Sequence, residues 1–369
     1  MTKTIMLAAG GSGGHLFPAF ALAEELGQRG YNVELATDNR GDRYETDFPA
    51  SAIHQIPSAT TTSRSPVALT KTALTLAGGV RKAHKILGNV NPAAVIGFGG
   101  YPSFPPIVAA ALRSIPTALH EQNAVLGRAN RMLAGRVSAI ATSFESVKYV
   151  PDDAASKVRM TGNPVRSMVI EAAVREYQAP EPGGPINLLV FGGSQGARYF
   201  SDIVPGAVAN LPDDVRSRIA VMQQCREEDL DRVRAAYAEA GINATCETFF
   251  ENLPEWIGVA HLVIGRGGAT TIAELTAIGC PSVLVPLPHS RDNDQLENAT
   301  TLANAGAAWC IEQKDLNIER LTDGLYGVFS APEELTAAAA AARSLGRPAA
   351  VNRLADLVEE LAAQSKAAA

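Results

Sequence analysis

Short apolar runs recur along the chain, each followed by a glycine-rich turn or by a longer stretch with helical spacing. Thr4–Ala9, Asn32–Thr37, Ala93–Gly97, Thr117–His120, Val137–Ala141 and Val158–Met160 have the length and composition of buried strands. Pro18–Arg29, Pro105–Arg113 and Asn123–Ala134 read as the helices between them. This alternation predicts a parallel sheet with helices on both faces. The pattern breaks at Glu171–Pro185, which holds three prolines and two glycines and reads as a linker or long loop. It restarts with strands at Ile186–Phe191, Ile219–Met222, Leu262–Ile264 and Ser282–Val285. A strand, glycine loop and helix therefore begin near residue 4 and again near residue 186, without close sequence repetition. Two tandem, doubly wound α/β (Rossmann-like) domains are predicted. Two alanine-rich helical stretches, Ala331–Leu345 and Ala349–Ala362, follow, separated by Gly346 and Pro348.

The length of 369 residues agrees with about two domains. With 46% hydrophobic and 19% charged residues the chain can bury a sizeable core, which excludes disorder as its main state. A net charge of −6 argues against a general nucleic-acid binder. The charge is uneven: residues 1–160 carry a net +5 and residues 161–369 a net −11. Either the halves face different partners or the split is compositional scatter. Cys225, Cys246, Cys280 and Cys310 fit no metal-site spacing, so buried free thiols in a reducing compartment are expected. Residues Ile86–Leu112 contain no charge, but Pro92, Pro102, Pro105 and Pro106 with Gly97, Gly99 and Gly100 fit a strand, loop and helix better than one spanning helix. Met1–Ala9 is too short for a signal sequence before its glycines. A soluble, cytosolic protein is expected, with a membrane-surface contact left open.

Four glycine loops follow strands: Gly10–Gly14, Gly97–Gly100, Gly192–Gly196 and Gly265–Gly268. Such loops expose backbone N–H groups, and the helix after each favours negative charge. Tight strand-to-helix turns need glycine anyway, but four of them, two per domain, point to a phosphate- or diphosphate-bearing ligand. A dinucleotide site is the obvious version, with Asp38 in the place of a ribose-binding acid. The first loop lacks the third glycine, however, and a second glycine-rich domain has no place in a simple dehydrogenase. No Gly-Lys-Ser/Thr follows any loop, so a P-loop fails too.

Six segments together carry a family resemblance: Gly10-Gly11-Ser12-Gly13-Gly14-His15, Gly97-Phe98-Gly99-Gly100-Tyr101, His120-Glu121-Gln122-Asn123, Gly162-Asn163-Pro164-Val165-Arg166, Gly192-Gly193-Ser194-Gln195-Gly196-Ala197 and Arg266-Gly267-Gly268-Ala269-Thr270. In this order, across about residues 4–310, they resemble the peptidoglycan N-acetylglucosaminyltransferases among the two-Rossmann (GT-B) glycosyltransferases. The resemblance implies two Rossmann-like domains facing a cleft. It implies inverting transfer of N-acetylglucosamine from UDP to the 4-hydroxyl of undecaprenyl-diphospho-N-acetylmuramoyl-pentapeptide. The partners it implies are UDP-N-acetylglucosamine, the undecaprenyl-diphosphate-linked acceptor and an anionic membrane surface. It implies no nucleic acid and no cofactor; other cell-wall synthesis proteins stay open as partners. The implied location is peripheral, on the cytoplasmic face of the bacterial inner membrane. The domains expected are 1–164, with the helix 347–369 returned to it, for the acceptor and membrane, and 165–346 for the UDP-sugar, with hinge motion near Asn163–Arg166.

Residue by residue, the resemblance makes His15 the candidate base, since an imidazole can take the proton of an attacking hydroxyl; the alternative is a helix-start histidine bonding backbone. Ser12, Gly13 and Gly14 match donor-contacting positions, and their N–H groups can face a diphosphate; turn geometry alone would also explain them. Asn123 matches a sugar-contacting amide or is an N-cap. Arg166 suits a diphosphate through its bidentate fork, with a surface ion pair as the alternative; Ser194 would donate to the same diphosphate. Ala269, Thr270, Thr271 and Glu274 match the family's ribose-binding segment, although Thr271-x-x-Glu274 also fits a capping box. Phe250 matches a position whose backbone meets the uracil. Asp292-Asn293-Asp294 spells the DxD of metal-dependent transferases, yet the resemblance implies no metal and makes Asp294 and Gln295 donor-sugar contacts. Within Ser65–Gly88, Leu69, Leu74, Leu76, Val80, Ile86 and Leu87 alternate with Lys71, Arg81, Lys82 and Lys85, fitting a helix on an anionic leaflet or an ordinary core-packed helix. The rival functions are transfer to another lipid such as diacylglycerol, UDP-N-acetylglucosamine 2-epimerisation, and noncatalytic nucleotide-sugar binding.

Overall fold

The predicted apolar runs are strands of two all-parallel sheets. In the computed structural model, residues 2–11, 13–38, 48–60, 65–193 and 196–364 are described. The chain divides into two units: Met1–Arg166 with Pro348–Ala369, and Ser167–Arg347. The sheet of the first unit is built from β1 (Thr4–Ala8), β2 (Asn32–Thr37), β3 (Ala52–Gln55), β4 (Ala94–Gly97), β5 (Thr117–Glu121), β6 (Ala139–Thr142) and β7 (Val158–Met160), in the order β3-β2-β1-β4-β5-β6-β7. The second unit has β8 (Ile186–Phe191), β9 (Ile219–Gln224), β10 (Asn243–Glu247), β11 (Leu262–Gly265), β12 (Ser282–Leu284) and β13 (Ala308–Cys310), in the order β10-β9-β8-β11-β12-β13. Each is a doubly wound Rossmann-like sheet.

Both faces of the first sheet are covered, which is why its strands read as continuous apolar runs. Side chains alternate between two cores: Ile5 and Leu7 pack with Leu22, Leu26, Leu354 and Val358, while Met6 and Ala8 pack with Leu87, Ile107 and Leu133. The first core lies under α1 (Gly13–Gln28) and the helix Ala350–Gln364; the second lies under α2 (Pro66–Val90) and α3 (Gly100–Leu112). The helix Ala350–Gln364 is thus part of the first unit although it follows the whole second unit in sequence. Its hold is partly ionic: Arg29 on α1 reaches Asp356 at 2.6 Å and Glu359 at 2.8 Å, and Lys3 Nζ donates to the Ala362 carbonyl at 2.8 Å.

Three predicted helix starts need correction. α1 begins at Gly13, not Pro18, and α3 at Gly100, not Pro105; the prolines fall inside both helices. The stretch Asn123–Ala134 is α-helical only over α4 (Arg128–Leu133), whose N-cap is Gly127 and not Asn123. The charge-free stretch Ile86–Leu112 divides among the end of α2, β4 and α3, and no described helix is long and apolar enough to cross a membrane. Cys225, Cys246 and Cys280 are buried free thiols; Cys310 is half-buried.

Candidate functional site

In each sheet the strand order reverses beside its first strand, β1 lying between β2 and β4, and β8 between β9 and β11. Open α/β sheets bind ligands beyond the carboxyl ends of the strands at such a reversal. The four glycine loops sit at those ends, after β1 and β4 in one unit and after β8 and β11 in the other. Ser12 and Ser194 lie outside the described residues, next to Gly13 and Gly193.

His15 is in the first turn of α1, and its ring lies against the loop after β4. A Cβ built on Gly99 would stand 3.4 Å from the ring's Cε1, and one on Gly100 would stand 3.3 Å from its Nε2. Both glycines have positive φ, 84° and 68°, where a side chain is strained as well. This second glycine loop therefore seats an imidazole. His15 Nδ1 is 3.1 Å from Gln122 Oε1. The Gln122 amide nitrogen donates to the Phe98 carbonyl at 3.0 Å and lies 3.0 Å from His120 Nδ1. His120 Nε2 is 3.0 Å from the Gly162 carbonyl. His120 and Gln122 are buried, and burial pushes the His120 imidazole down to about 4.

The loop carrying Asn123 is organised by Glu121, which sequence reasoning quoted only as part of a motif. One carboxylate oxygen accepts from the Asn123 backbone N–H at 3.1 Å and from its side-chain amide at 3.2 Å. The other accepts from the Gly127 N–H and the Asn130 amide, each at 2.8 Å. Four donors around a buried carboxyl select its ionised form, while desolvation works against it and raises its pKa. The half-exposed Asn123 is thereby held by its nitrogen end. Arg166 stacks its guanidinium 4.8 Å from the centroid of Phe17, which stands close to Gly13 on the same turn as His15. The described candidates of the first unit, Gly13, Gly14, His15, Asn123 and Arg166, are therefore linked through Phe17, Gln122 and Glu121.

In the second unit, Ala269, Thr270 and Thr271 form the first turn of the helix Ala269–Ile278, whose N-cap is Gly268. Its leading N–H groups have no partner within the helix, and Thr270 Oγ1 is buried with no partner among the described residues. The capping-box alternative for Glu274 does not form: Thr271 is inside the helix, and Glu274 lies buried in its second turn. Arg266 turns back into the fold, donating to the Val285 carbonyl at 3.0 Å and to Gln313 Oε1 at 2.8 Å. The segment it holds continues into a loop where His289, Asp292 and Asn293 all have φ between 54° and 58°, a left-handed backbone uncommon outside glycine. Asp294 and Gln295 then open the helix Asp294–Asn304; Asp294 Oδ1 accepts from the Gln295 N–H at 2.7 Å, and Gln295 Oε1 from the Leu287 N–H at 3.0 Å. A Cβ on Gly267 would stand 2.4 Å from the Gln295 carbonyl oxygen, so the third residue of this glycine loop makes room for that helix start. Phe250 enters separately, in the loop after the edge strand β10, its ring tilted against Trp256 at 6.4 Å.

Residues 5–142 match the glycosyltransferase family 28 N-terminal domain, and residues 187–361 match the family 28 C-terminal domain. The UDP-N-acetylglucosamine–N-acetylmuramyl-(pentapeptide) pyrophosphoryl-undecaprenol N-acetylglucosamine transferase of Methylobacterium sp. (strain 4-46) is 53% identical over 359 residues, covering 97% of this chain and 96% of that protein. The transferase of the same name from Chelativorans sp. (strain BNC1) is 51% identical over 360 residues, covering 98% and 96%. Among solved structures, Acinetobacter baumannii MurG is similar with a TM-score of 0.79 at 30% identity, over 97% of this chain and 99% of that one.

Proposed function

The chain belongs to the N-acetylglucosamine transferases of glycosyltransferase family 28, and from that membership we propose that it transfers N-acetylglucosamine from UDP to the 4-hydroxyl of undecaprenyl-diphospho-N-acetylmuramoyl-pentapeptide, with inversion. The observation that carries this is the identity of about half of all positions over nearly the full length of transferases so named. In this reading His15 takes the proton of the acceptor hydroxyl as its oxygen bonds to the anomeric carbon and UDP departs with the electron pair of the breaking bond. Gly13 and Gly14, with Ser12, present N–H and hydroxyl groups near the reacting centre, and Asn123 meets a sugar hydroxyl or N-acetyl group. Arg166 offsets the charge of the diphosphate, and Ser194 donates its hydroxyl hydrogen to it.

The second unit takes the donor. The N-terminal turn Ala269–Thr271 suits a diphosphate, and the buried Thr270 hydroxyl supports a polar ligand at this turn. Glu274 accepts from the ribose hydroxyls, Phe250 meets the uracil through its backbone, and Asp294 with Gln295 contacts the sugar. The acceptor is lipid-linked, so the enzyme works as a peripheral protein on the cytoplasmic leaflet. The start of α2 supports this: Val67, Leu69 and Leu74 are 80%, 48% and 69% exposed beside Lys71. The sequence-derived patch is narrower than expected, because Leu87 is core and Val80 and Ile86 pack against it.

The test is UDP release with and without the lipid-linked muramoyl acceptor. Release that depends on this acceptor is the expected result. Release driven by diacylglycerol, or isomerisation of UDP-N-acetylglucosamine with no acceptor, would replace the reading.

A further inference from the structure

We infer that Gln122 is a positioning residue that fixes the tautomer of His15, keeping the proton on Nδ1 and the lone pair on Nε2. The inference rests on the reading of His15 as the base and adds which nitrogen acts and what dictates it.

The Gln122 amide can sit only one way round. Its nitrogen faces the carbonyl oxygens of Phe98 at 3.0 Å and His120 at 3.2 Å, and a carbonyl oxygen only accepts. The third neighbour of that nitrogen, His120 Nδ1 at 3.0 Å, is also an acceptor, because His120 Nε2 must donate to the Gly162 carbonyl at 3.0 Å. Burial keeps His120 neutral, so it has one N–H to give, and Gly162 receives it. A flipped Gln122 would set its oxygen against three acceptors. Its Oε1 therefore faces His15 Nδ1 at 3.1 Å, and an amide oxygen requires a donor there. Neutral His15 then carries its proton on Nδ1, and Nε2 is the basic nitrogen.

The chain of dictation runs Gly162, His120, Gln122, His15, each link a buried or half-buried group with one permitted role. The ring lies close against Gly99 and Gly100, where an added Cβ would stand 3.3–3.4 Å from it. During transfer the acceptor oxygen bonds to the anomeric carbon, its proton moves to Nε2, and the bond to UDP breaks with its electron pair leaving on UDP. The resulting imidazolium keeps its Nδ1–H on Gln122, so no reorientation is needed to accept the proton.

The measurement is long-range 1H–15N NMR of the full chain labelled in histidine, with His15 assigned by the signals missing from His15→Ala. We expect wild-type His15 with a protonated Nδ1 and a bare Nε2. In Gln122→Leu the tautomer should shift toward Nε2–H, and kcat should fall about 10- to 100-fold with the donor KM unchanged. Gln122→Glu, protonated on the oxygen that replaces the amide nitrogen because that oxygen faces only acceptors, still presents an acceptor oxygen toward Nδ1, so it should keep the Nδ1–H form that Gln122→Leu loses. Wild-type His15 protonated on Nε2 would overturn the proposal, as would a folded Gln122→Leu with unchanged tautomer and kcat. If Gln122→Leu fails to fold, the wild-type spectrum decides alone. Full turnover by His15→Ala would remove the base reading instead, a failure told apart because the wild-type spectrum would still show Nδ1–H.

Discussion

Glu121 shows how much of a site can rest on one buried carboxyl group. Its two oxygens accept from four N–H donors on Asn123, Gly127 and Asn130, and these bonds set the loop from which Asn123 projects. In Glu121→Gln an NH2 group replaces one oxygen and meets donors. We expect a loss of about 1–3 kcal/mol in urea unfolding, with a fall in kcat as Asn123 loses its anchor. His120 makes a second prediction. Its pKa is about 4 in the fold against 6.5 for a free imidazole, so between these values the unfolded chain binds the proton and the fold does not. Stability from this group is complete above about pH 6.5 and is lost as pH falls toward 4, by on the order of 3 kcal/mol at about 1.4 kcal/mol per unit. Glu121, raised by burial, has the opposite sign: the fold holds its proton more tightly, so its contribution declines as pH rises through the folded value. Urea unfolding should show wild type losing stability over pH 6.5 to 4 more steeply than His120→Gln, and parallel curves would contradict the assignment.

At the level of elements, a glycine loop and a helix start are coupled. Gly267 lets the Gln295 carbonyl approach to where a Cβ would be 2.4 Å away. Gly267→Ala should push the start of the helix Asp294–Asn304 outward and raise the KM for UDP-N-acetylglucosamine by about tenfold, roughly 1.4 kcal/mol of binding, with kcat less affected; steady-state kinetics in both substrates separates the two. The central strands were legible in the sequence because both their faces are buried, leaving unbroken apolar runs. β3, β10 and β13 were not, because they lie at sheet edges and keep exposed or half-buried positions such as Gln55, Glu247 and Trp309. The starts of α1 and α3 were misplaced because proline was read as a first-turn residue, whereas glycines upstream had already entered the helix. The loops of the candidate site could be picked out by glycine and motif. The Gln122 relay could not, since its acceptors come from Phe98, His120 and Gly162, which the sheet brings together and the sequence keeps apart.

For the whole molecule, the uneven charge acquires a location. The basic first half includes α2, whose exposed Val67, Leu69 and Leu74 accompany Lys71, Arg81, Lys82 and Lys85. Reversing those four charges should reduce sedimentation with anionic liposomes, at about 1 kcal/mol for each charge that approaches the surface, while leaving neutral liposomes unaffected; equal binding would discard the patch. The first unit also depends on residues far along the chain. Leu354→Ala, which empties a fully buried position between the helix Ala350–Gln364 and the sheet, should cost about 2–5 kcal/mol in chemical unfolding. That dependence has a consequence during synthesis. Domains are generally completed in the order they leave the ribosome, but here the unit begun first is completed after the second. The part of one sheet face that Ala350–Gln364 covers beside α1 stays open while Ser167–Arg347 is being made, so the nascent chain carries an exposed apolar strip through about half of its translation and needs shelter from aggregation until Ala350–Gln364 arrives.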